Sequence, residues 1–156
     1  MQRITPCLWF EDKAEEAARF YTSIVPDSKI VTVTHYGSAG PRPKGTVMTV
    51  VFQLNGQEFM ALNGGPEFTF SPAVSFVIKC ETQAEIDRCW DKLSADKSRE
   101  QCGWVQDKFG VSWQIVPAIL DRLVGDSDPV KADRVMAAIL KMKKLAIAEL
   151  KRAHGG

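Results

Sequence analysis

The side chains most suited to catalysis or metal binding are few and scattered. The 156-residue chain has two histidines, and its four cysteines are Cys7, Cys80, Cys89 and Cys102. Zinc sites use cysteine pairs at C-x-x-C spacing or closely spaced histidines, and neither pattern occurs in this sequence. We therefore expect free thiols in a reducing cytoplasm. His154 lies in a terminal tail and receives no role.

Several short motifs resemble known functional motifs but lack one of the residues that the function requires. Gly40 and Gly45 have the G-x-x-x-x-G spacing of a phosphate-binding loop, but Thr46 stands where lysine is needed. Ser112 follows a glycine at the right distance but lacks the second glycine of a nucleophile elbow. The sequence has no G-x-G-x-x-G fingerprint and no Gly-rich turn of the kind that binds S-adenosylmethionine. His35, on an alternating strand beside a loop, is expected at a rim rather than as a general base.

The composition indicates a globular protein of modest size. Hydrophobic residues make up 45% and charged residues 25% of the chain. The 20 basic and 19 acidic residues leave a net charge of +1, which gives no electrostatic basis for nucleic-acid binding. Apolar runs stay well below the roughly 18 residues of a membrane span, and the N-terminus does not read as a secretory signal. We expect a cytoplasmic protein whose partner is a small molecule.

The hydrophobic pattern predicts the elements that position these residues. Residues 4–10 alternate as a buried strand, and Asp12 with Glu15 has the capping-box spacing that begins a helix. Further strands are predicted over residues 29–36, 46–54 and 57–63, with a loop over residues 37–45 and a hairpin turn at Asn55-Gly56. The first module thus has the order βαβββ.

The same order begins again at Ala73. A strand over residues 73–79 precedes Thr82, which has Glu85 three residues later as a second capping box. A hairpin over residues 103–107 and 112–116 follows, turned at Phe109-Gly110. This repeat predicts an α+β fold in which two βαβββ modules, residues 1–66 and 73–117, form a cupped mixed sheet. The second module is one strand shorter, and residues 1–117 are expected to be one domain.

After Pro117 the pattern becomes helical. A short helix is predicted to end at Gly125, and Asp128-Pro129 provides a cap and a proline at the first position of a long helix that runs to Ala153. Its apolar stripe is formed by Val135, Ile139, Met142, Leu145 and Leu150. We expect residues 118–156 to be a C-terminal helical extension that packs on the domain or on a partner subunit.

Three stretches of the chain resemble a known family. They are residues 4–10 (ITPCLWF), residues 59–66 (FMALNGGP) and residues 102–117, which include CGW and FGVSWQIVP. With the duplicated order, they resemble the PhnB-like branch of the vicinal oxygen chelate superfamily, which includes glyoxalase I and bleomycin-resistance proteins. This branch is often labelled 3-demethylubiquinone-9 3-methyltransferase. The resemblance implies the glyoxalase/bleomycin-resistance fold.

The superfamily resemblance also implies a divalent metal, held by His, Glu or Gln on the first and last strands of each module. In this sequence Thr5 and Ala73 occupy the first-strand positions. The last strands offer Ala61, or Asn63 in a shifted register, and Gln114. These residues supply too few donor atoms for a divalent cation. We predict no catalytic metal and no cofactor.

Strand alternation gives the candidate binding residues. Thr5, Cys7 and Trp9 share one face, as do Ser75 with Val77 and Ser112 with Gln114. The predicted ligand-binding set is Thr5, Cys7, Trp9, Asn63, Ser75, Trp104 and Gln114, with Trp104 near the mouth of the cup. Small polar groups beside aromatics suit an apolar or mixed-polarity ligand. The alternative is that these side chains fill a closed sheet.

Three functions remain open. The first is a metal-free small-molecule binding protein of the PhnB-like type, with an unknown ligand. The second is an enzyme, either a metal-dependent lyase or isomerase or a methyltransferase, with no catalytic residue assigned. The third is a structural or interaction module in which the C-terminal helices form a homodimer. No nucleic-acid or membrane partner is expected.

Overall fold

The structure, a computed structural model, describes residues 4–156. Its backbone divides into two compact units, one ending at Phe70 and the other spanning Ser71–Gly156. Within the described range, the first unit holds a four-stranded mixed sheet and the second a three-stranded mixed sheet followed by helices. The predicted α+β class is confirmed. None of the helices in that range is both long and apolar enough to span a bilayer.

The first unit follows the predicted order of strand, helix and three strands. Its elements are β1 (Cys7–Phe10), α1 (Ala14–Ile24), β2 (Lys29–His35), β3 (Val47–Leu54) and β4 (Gln57–Asn63). The strands lie in the order β1-β4-β3-β2, with β1 parallel to β4 and the other pairs antiparallel. The predicted turn is confirmed, because Asn55 (φ 46°) and Gly56 (φ 78°) both take the positive φ of a two-residue hairpin.

Helix α1 covers one face of this sheet. The ring of Tyr21 on α1 stacks on Phe52 of β3 with 6.3 Å between centroids, and both side chains are buried. Phe52 stacks in turn on Phe59 of β4 at 5.5 Å. The opposite face, which carries Cys7 and Trp9, is left partly exposed.

The predicted cap of α1 at Asp12 is wrong. The helix begins one residue later, at Ala14, with Lys13 as its N-cap. The amide of Ala14 donates instead to Oδ1 of Asn63 on β4, at 2.7 Å, and Nδ2 of Asn63 donates to the carbonyl of Val47 at 3.1 Å. A buried amide from the last strand therefore satisfies the helix N-terminus, and sequence spacing cannot reveal such a long-range cap.

The second unit repeats this order with one strand fewer, as predicted. Its elements are β5 (Ser75–Cys80), α2 (Gln83–Leu93), a 3₁₀ turn (Lys97–Arg99), β6 (Trp104–Gln106) and β7 (Ser112–Pro117). The order is β5-β7-β6, with β5 parallel to β7 and β6 antiparallel to it. The second capping box is confirmed, since Thr82 and Glu85 exchange side-chain to backbone hydrogen bonds of 3.2 Å.

Helix α2 buries the apolar side chains that the sequence assigns to it, Ile86, Cys89, Trp90 and Leu93. The sheet side chains Trp113 and Ile115 on β7 are also buried, as the alternation predicts. On the other face, Ser75 of β5 and Gln114 of β7 are half-buried, whereas Val77 is exposed and Ser112 is buried. Each sheet therefore has one helix-covered face and one face with polar side chains.

The predicted long C-terminal helix is wrong, because it is two helices. The extension contains α3 (Leu120–Val124), α4 (Pro129–Ile139) and α5 (Ile147–Gly155). Between α4 and α5 the carbonyls of Met142 and Lys143 accept hydrogen bonds from the amides of Cys102 and Gly103, at 2.9 and 2.7 Å. Those two carbonyls bond outside the helix ladder, so the helix is interrupted there. The apolar stripe still packs, with Val135, Leu145 and Leu150 fully buried.

The C-terminal tail is fixed rather than frayed. Nε2 of His154 lies 2.7 Å from Oδ2 of Asp126, and Arg134 donates to the carbonyls of Ala153 and His154 at 2.9 Å. The backbone amide of Asp128 and the imidazole of His154 lower the pKa of the Asp126 carboxyl below its usual range. The sequence gives His154 no role, whereas the structure makes it a tether for α5.

The Asn63 cap can be tested against Asp12. We expect Asn63→Ala to lower the free energy of unfolding by about 1–3 kcal/mol, because it strands a buried helix amide and the Val47 carbonyl. Asp12→Ala should change it by less than about 0.5 kcal/mol, as exposed substitutions usually do. Urea unfolding followed by circular dichroism measures both. A larger loss for Asp12→Ala than for Asn63→Ala would contradict the assignment.

Candidate functional site

The exposed face of the first sheet gathers three of the predicted residues. Thr5, Cys7 and Trp9 alternate along the first strand region, and Cys7 and Trp9 lie opposite Met60 and Leu62 of β4. Oγ1 of Thr5 donates to Oε1 of Glu58, at 2.9 Å. The predicted shared face therefore forms.

Trp9 is held rigidly on that face. Its Nε1 donates to the carbonyl of Gly65 at 2.8 Å, and its ring meets Phe68 edge-on with 5.0 Å between centroids. A Cβ atom on Gly64 would lie 2.2 Å from the indole ring, so only glycine permits this approach. Trp9 is thus a fixed aromatic surface whose only donor is already used.

Asn63 is separated from the other predicted residues. It lies opposite Phe10 on the helix-covered face, not on the face of Trp9. Its side chain is buried, and both ends of its amide are engaged by Ala14 and Val47. In the structure, the Asn63 side chain therefore caps the N-terminus of α1.

The exposed face of the second sheet brings together the remaining three predicted residues. In the strand register, Trp104 of β6 lies opposite Gln114 of β7, and Val77 of β5 flanks Gln114 on the other side. Nε2 of Gln114 donates to Oγ of Ser75 at 2.9 Å. Val77 is 52% exposed, so this face is accessible.

A cavity of about 420 Å³ lies within the second unit beside β6. Its lining includes an aromatic ring, a guanidinium group, two amides, two hydroxyls and a thiol, from Trp104, Arg99, Gln101, Gln106, Ser98, Ser112 and Cys102. Trp104, the predicted mouth residue, is one of the residues that line this cavity. Most of the other lining side chains carry hydrogen-bonding groups, Arg99 adds a positive charge, and Pro72 and Val105 are apolar.

Two short turns build this cavity. Residues 101–104 form a hairpin turn in which Trp104 N–H donates to the Gln101 carbonyl at 2.7 Å. Cys102 (φ 52°) and Gly103 (φ 87°) take the positive φ values that such a turn requires. Arg99 comes from the 3₁₀ turn Lys97–Arg99, in which the carboxylate of Asp96 accepts from Ser98 N–H at 2.9 Å.

The β6–β7 hairpin that carries Trp104 is anchored by Asp107. This buried carboxylate accepts from the amides of Phe109 and Val111, at 2.8 and 3.0 Å. It also accepts from Nε1 of Trp113 at 2.8 Å. Three donors converging on one carboxylate fix the turn and, with it, the position of β6 against β7.

Sequence reasoning missed most of the cavity lining. Residues 97–101 have neither helical nor strand periodicity, so nothing in the pattern places Arg99 or Gln101 beside Trp104. Gln106 is different, because it is two residues after Trp104 and strand alternation puts both on one face. That signal was available and would have added Gln106 to the candidate set.

The superfamily's divalent metal does not fit the residues at the matching positions. Ala61 and Ala73 have no donor atoms, Thr5 donates its hydroxyl to Glu58, and Gln114 is bonded to Ser75. Within residues 4–156, no group of three or more His, Cys, Asp or Glu side chains is placed to hold a metal ion.

In each sheet the first and last strands of the unit pair in parallel, and one helix covers one face. This arrangement defines an α+β protein built from a repeated strand–helix–strand module. The sequence profile of the 3-demethylubiquinone-9 3-methyltransferase family matches residues 2–116, and the chain belongs to this family. No curated protein matches the sequence significantly.

Two solved structures are similar to this chain. A PhnB protein from Bacillus cereus, named after the same methyltransferase, is 43% identical, and the match covers 74% of this chain and 99% of that one with a TM-score of 0.63. Protein PA1353 from Pseudomonas aeruginosa shares the fold at 19% identity, over 75% and 98% of the two chains, with a TM-score of 0.59. The family match contains the cavity and stops before the C-terminal helices.

The thiols differ in their surroundings. Cys7 is exposed and Cys102 is half-buried, whereas Cys80 and Cys89 are buried. A hydrogen bond from the Cys80 thiol lowers the pKa of Cys89 to about 7 and raises that of Cys80. Desolvation raises the pKa of the Cys7 thiol.

These surroundings predict the order of alkylation by iodoacetamide. In the folded protein we expect Cys7 to react first and Cys102 next, while Cys80 and Cys89 react only after unfolding because the reagent cannot reach them. Since only the thiolate reacts, the raised pKa should place the midpoint of the Cys7 rate against pH above about 8.5, the pKa of a free cysteine. Peptide mass spectrometry measures each rate. Reaction of Cys89 in the folded state as fast as Cys7 would refute the order.

Proposed function

We propose that this protein binds a small molecule of mixed polarity in the cavity beside β6, without a catalytic metal. The observation that carries this proposal is the cavity in which Trp104 lies near Arg99, Gln101 and Gln106. Its volume of about 420 Å³ falls within the range of about 300–1,000 Å³ that is usual for small-molecule sites.

The lining suggests the chemistry of the ligand. Trp104 offers a flat apolar surface on which a planar ring can stack. Arg99 presents a planar fork of donors that matches a carboxylate. The amides of Gln101 and Gln106 can orient either donors or acceptors. We infer that the ligand is a planar molecule with a carboxylate or a similar anionic group.

Binding is favoured over catalysis by the types of residue in the cavity. Among the described residues that line it, none is a histidine or a carboxylate, the usual general acids and bases. The lining does contain side chains that can act as nucleophiles, the thiol of Cys102 and the hydroxyls of Ser98 and Ser112, but without a general base beside them. The methyltransferase name belongs to relatives of this chain, and the sequence lacks the Gly-rich turn typical of S-adenosylmethionine-dependent enzymes. Methyl transfer therefore remains the alternative that the experiment must address.

A ligand-screen thermal shift tests the proposal. We expect planar aromatic carboxylates to raise the melting temperature with or without added divalent metal. A ligand at a hundredfold excess over Kd stabilises the folded state by about 2.7 kcal/mol. Arg99→Ala and Trp104→Ala should each weaken binding at least tenfold. Lys97→Ala removes a cation from the same 3₁₀ turn without touching the cavity and should bind normally.

Other outcomes would contradict the proposal. Stoichiometric divalent metal in dialysed protein, or a shift that requires metal, would contradict the metal-free site. Saturable S-adenosylmethionine binding by calorimetry would support the methyltransferase alternative. Unchanged ligand binding in both Arg99→Ala and Trp104→Ala would move the site away from this cavity.

We also propose that the cytoplasmic form is a homodimer in which α4 contacts a second copy, with residues 1–117 as the family domain and residues 118–156 as its extension. The support is a pair of exposed apolar side chains spaced four residues apart at the C-terminal end of α4, Met136 and the C-cap residue Leu140, which are 45% and 63% exposed. Apolar side chains that recur on one helix face are typical of a contact surface.

Sedimentation velocity checks this assembly. The unaltered chain should sediment as a dimer, and Met136→Glu or Leu140→Glu should give a monomer because a charge would be buried at the contact. Val31→Glu, at an exposed apolar position on β2 of the first unit, is the matched control and should remain dimeric. A monomeric starting protein, or dimers of both α4 variants, would rule the contact out.

A further inference from the structure

The hairpin turn at residues 101–104 needs hydrogen-bond acceptors from outside itself. In such a two-residue turn, the outer residues pair with each other, here Gln101 with Trp104. The amides of the central residues, Cys102 and Gly103, have no acceptor within the turn. Because a backbone N–H that loses water must find a partner, this turn is incomplete without another segment.

Residues 141–147, which we call the clasp, supply these acceptors. The carbonyl of Met142 accepts from Cys102 N–H at 2.9 Å, and that of Lys143 accepts from Gly103 N–H at 2.7 Å. Leu145 is fully buried and lies against Gly103, where an added Cβ would be 3.2 Å from Leu145 Cδ1. The clasp therefore contacts the back of the turn, whose residues Gln101, Cys102 and Trp104 line the cavity.

Gln83, at the start of α2, holds the clasp in this position. Its Nε2 donates to the carbonyl of Leu145 at 3.1 Å, and its Oε1 accepts from Ile147 N–H at 2.9 Å. One amide thus bonds both a donor and an acceptor of the clasp backbone. The ion pair of Lys144 with Asp87, at 2.8 Å, supports the same contact from α2.

The clasp lies beyond the family match, which ends at residue 116. The cavity wall that it supports lies inside that match. Part of the site is therefore held by a segment that the chain carries in addition to its family domain.

We infer that the clasp sets the position of the cavity wall, that Gln83 is the positioning residue for the clasp, and that ligand affinity depends on both. Of these three statements, only the one about ligand affinity rests on the proposed function. Release of the clasp would leave two turn amides without acceptors and allow residues 101–104 to move. Docking of the clasp would hold Trp104 and Gln101 in the geometry that binds.

The test compares Gln83→Ala with Gln57→Ala in the 156-residue chain. Alanine is well tolerated in a helix, so α2 should persist in the first variant. Gln57 is an exposed glutamine in the first unit whose side chain also makes a backbone hydrogen bond, at 3.0 Å, and it serves as the matched control. The first readout is the alkylation rate of Cys102 by iodoacetamide, with Cys7 as the internal reference.

We expect the Cys102 rate to rise about tenfold in Gln83→Ala, equivalent to about 1.4 kcal/mol of lost docking free energy, with Cys7 unchanged. Amide hydrogen exchange at Cys102 and Gly103 should accelerate similarly, while the amides of β5 and β7 stay protected. Gln57→Ala should behave as the unaltered protein. Equal Cys102 rates in all three proteins would overturn the inference. Uniform acceleration throughout the second unit would overturn it too, because the clasp would not release separately.

A second readout separates this inference from the proposed function. The anionic aromatic probe 8-anilinonaphthalene-1-sulfonate should bind Gln83→Ala at least about fivefold more weakly than Gln57→Ala. If the unaltered protein binds neither this probe nor any aromatic carboxylate, the proposed function fails, while faster Cys102 alkylation would still establish the clasp. If the probe binds both variants equally, the link from clasp to affinity is refuted.

Discussion

Parallel pairing of the first and last strands is the constraint on which each unit depends. β1 pairs with β4 and β5 with β7, in both cases side by side and in the same direction. Parallel neighbours cannot be joined by a tight turn, so the chain must cross one face of the sheet before it returns. α1 and α2 occur in those crossovers and cover that face with apolar side chains. The other face is then the one on which half-exposed polar and aromatic residues can stand, and six of the seven candidate binding residues are there.

A second dependence joins the cavity to the C-terminal helices. The turn at residues 101–104 shapes the cavity wall, but its central amides find acceptors only in the segment between α4 and α5. The same carbonyls would belong to a continuous helix if that helix were straight. The same two hydrogen bonds therefore satisfy the turn and interrupt the helix. The cavity wall that carries Trp104 is held by residues inside the family match together with residues that follow it.

Much of the fold was predictable because the relevant signals are local. The Thr82–Glu85 capping box and the Asn55-Gly56 turn each depend on a few adjacent residues, and both are confirmed. Strand parity also paired Ser75 with Val77 and Gln114 with Ser112, but only the strand register brings Trp104 opposite Gln114. The Asn63 cap and the contribution of Arg99 were not predictable, because each depends on a contact between segments with no sequence relation to one another. The amide side chain of Asn63 could bind a ligand or support the fold. Its hydrogen bonds with Ala14 and Val47 show the structural role.

The sequence by itself determined the number and order of the strands and helices in each module and the apolar faces of α1 and α2. It also determined the shortage of metal ligands at the positions where the resemblance places them. The tertiary structure alone decided where the C-terminal helix breaks and which residues share the cavity. The physical reason is that backbone groups accept whichever partner is available. The carbonyls of Met142 and Lys143 fit a helix by every local criterion, and they bond to Cys102 and Gly103 because folding brings those unpaired amides within reach.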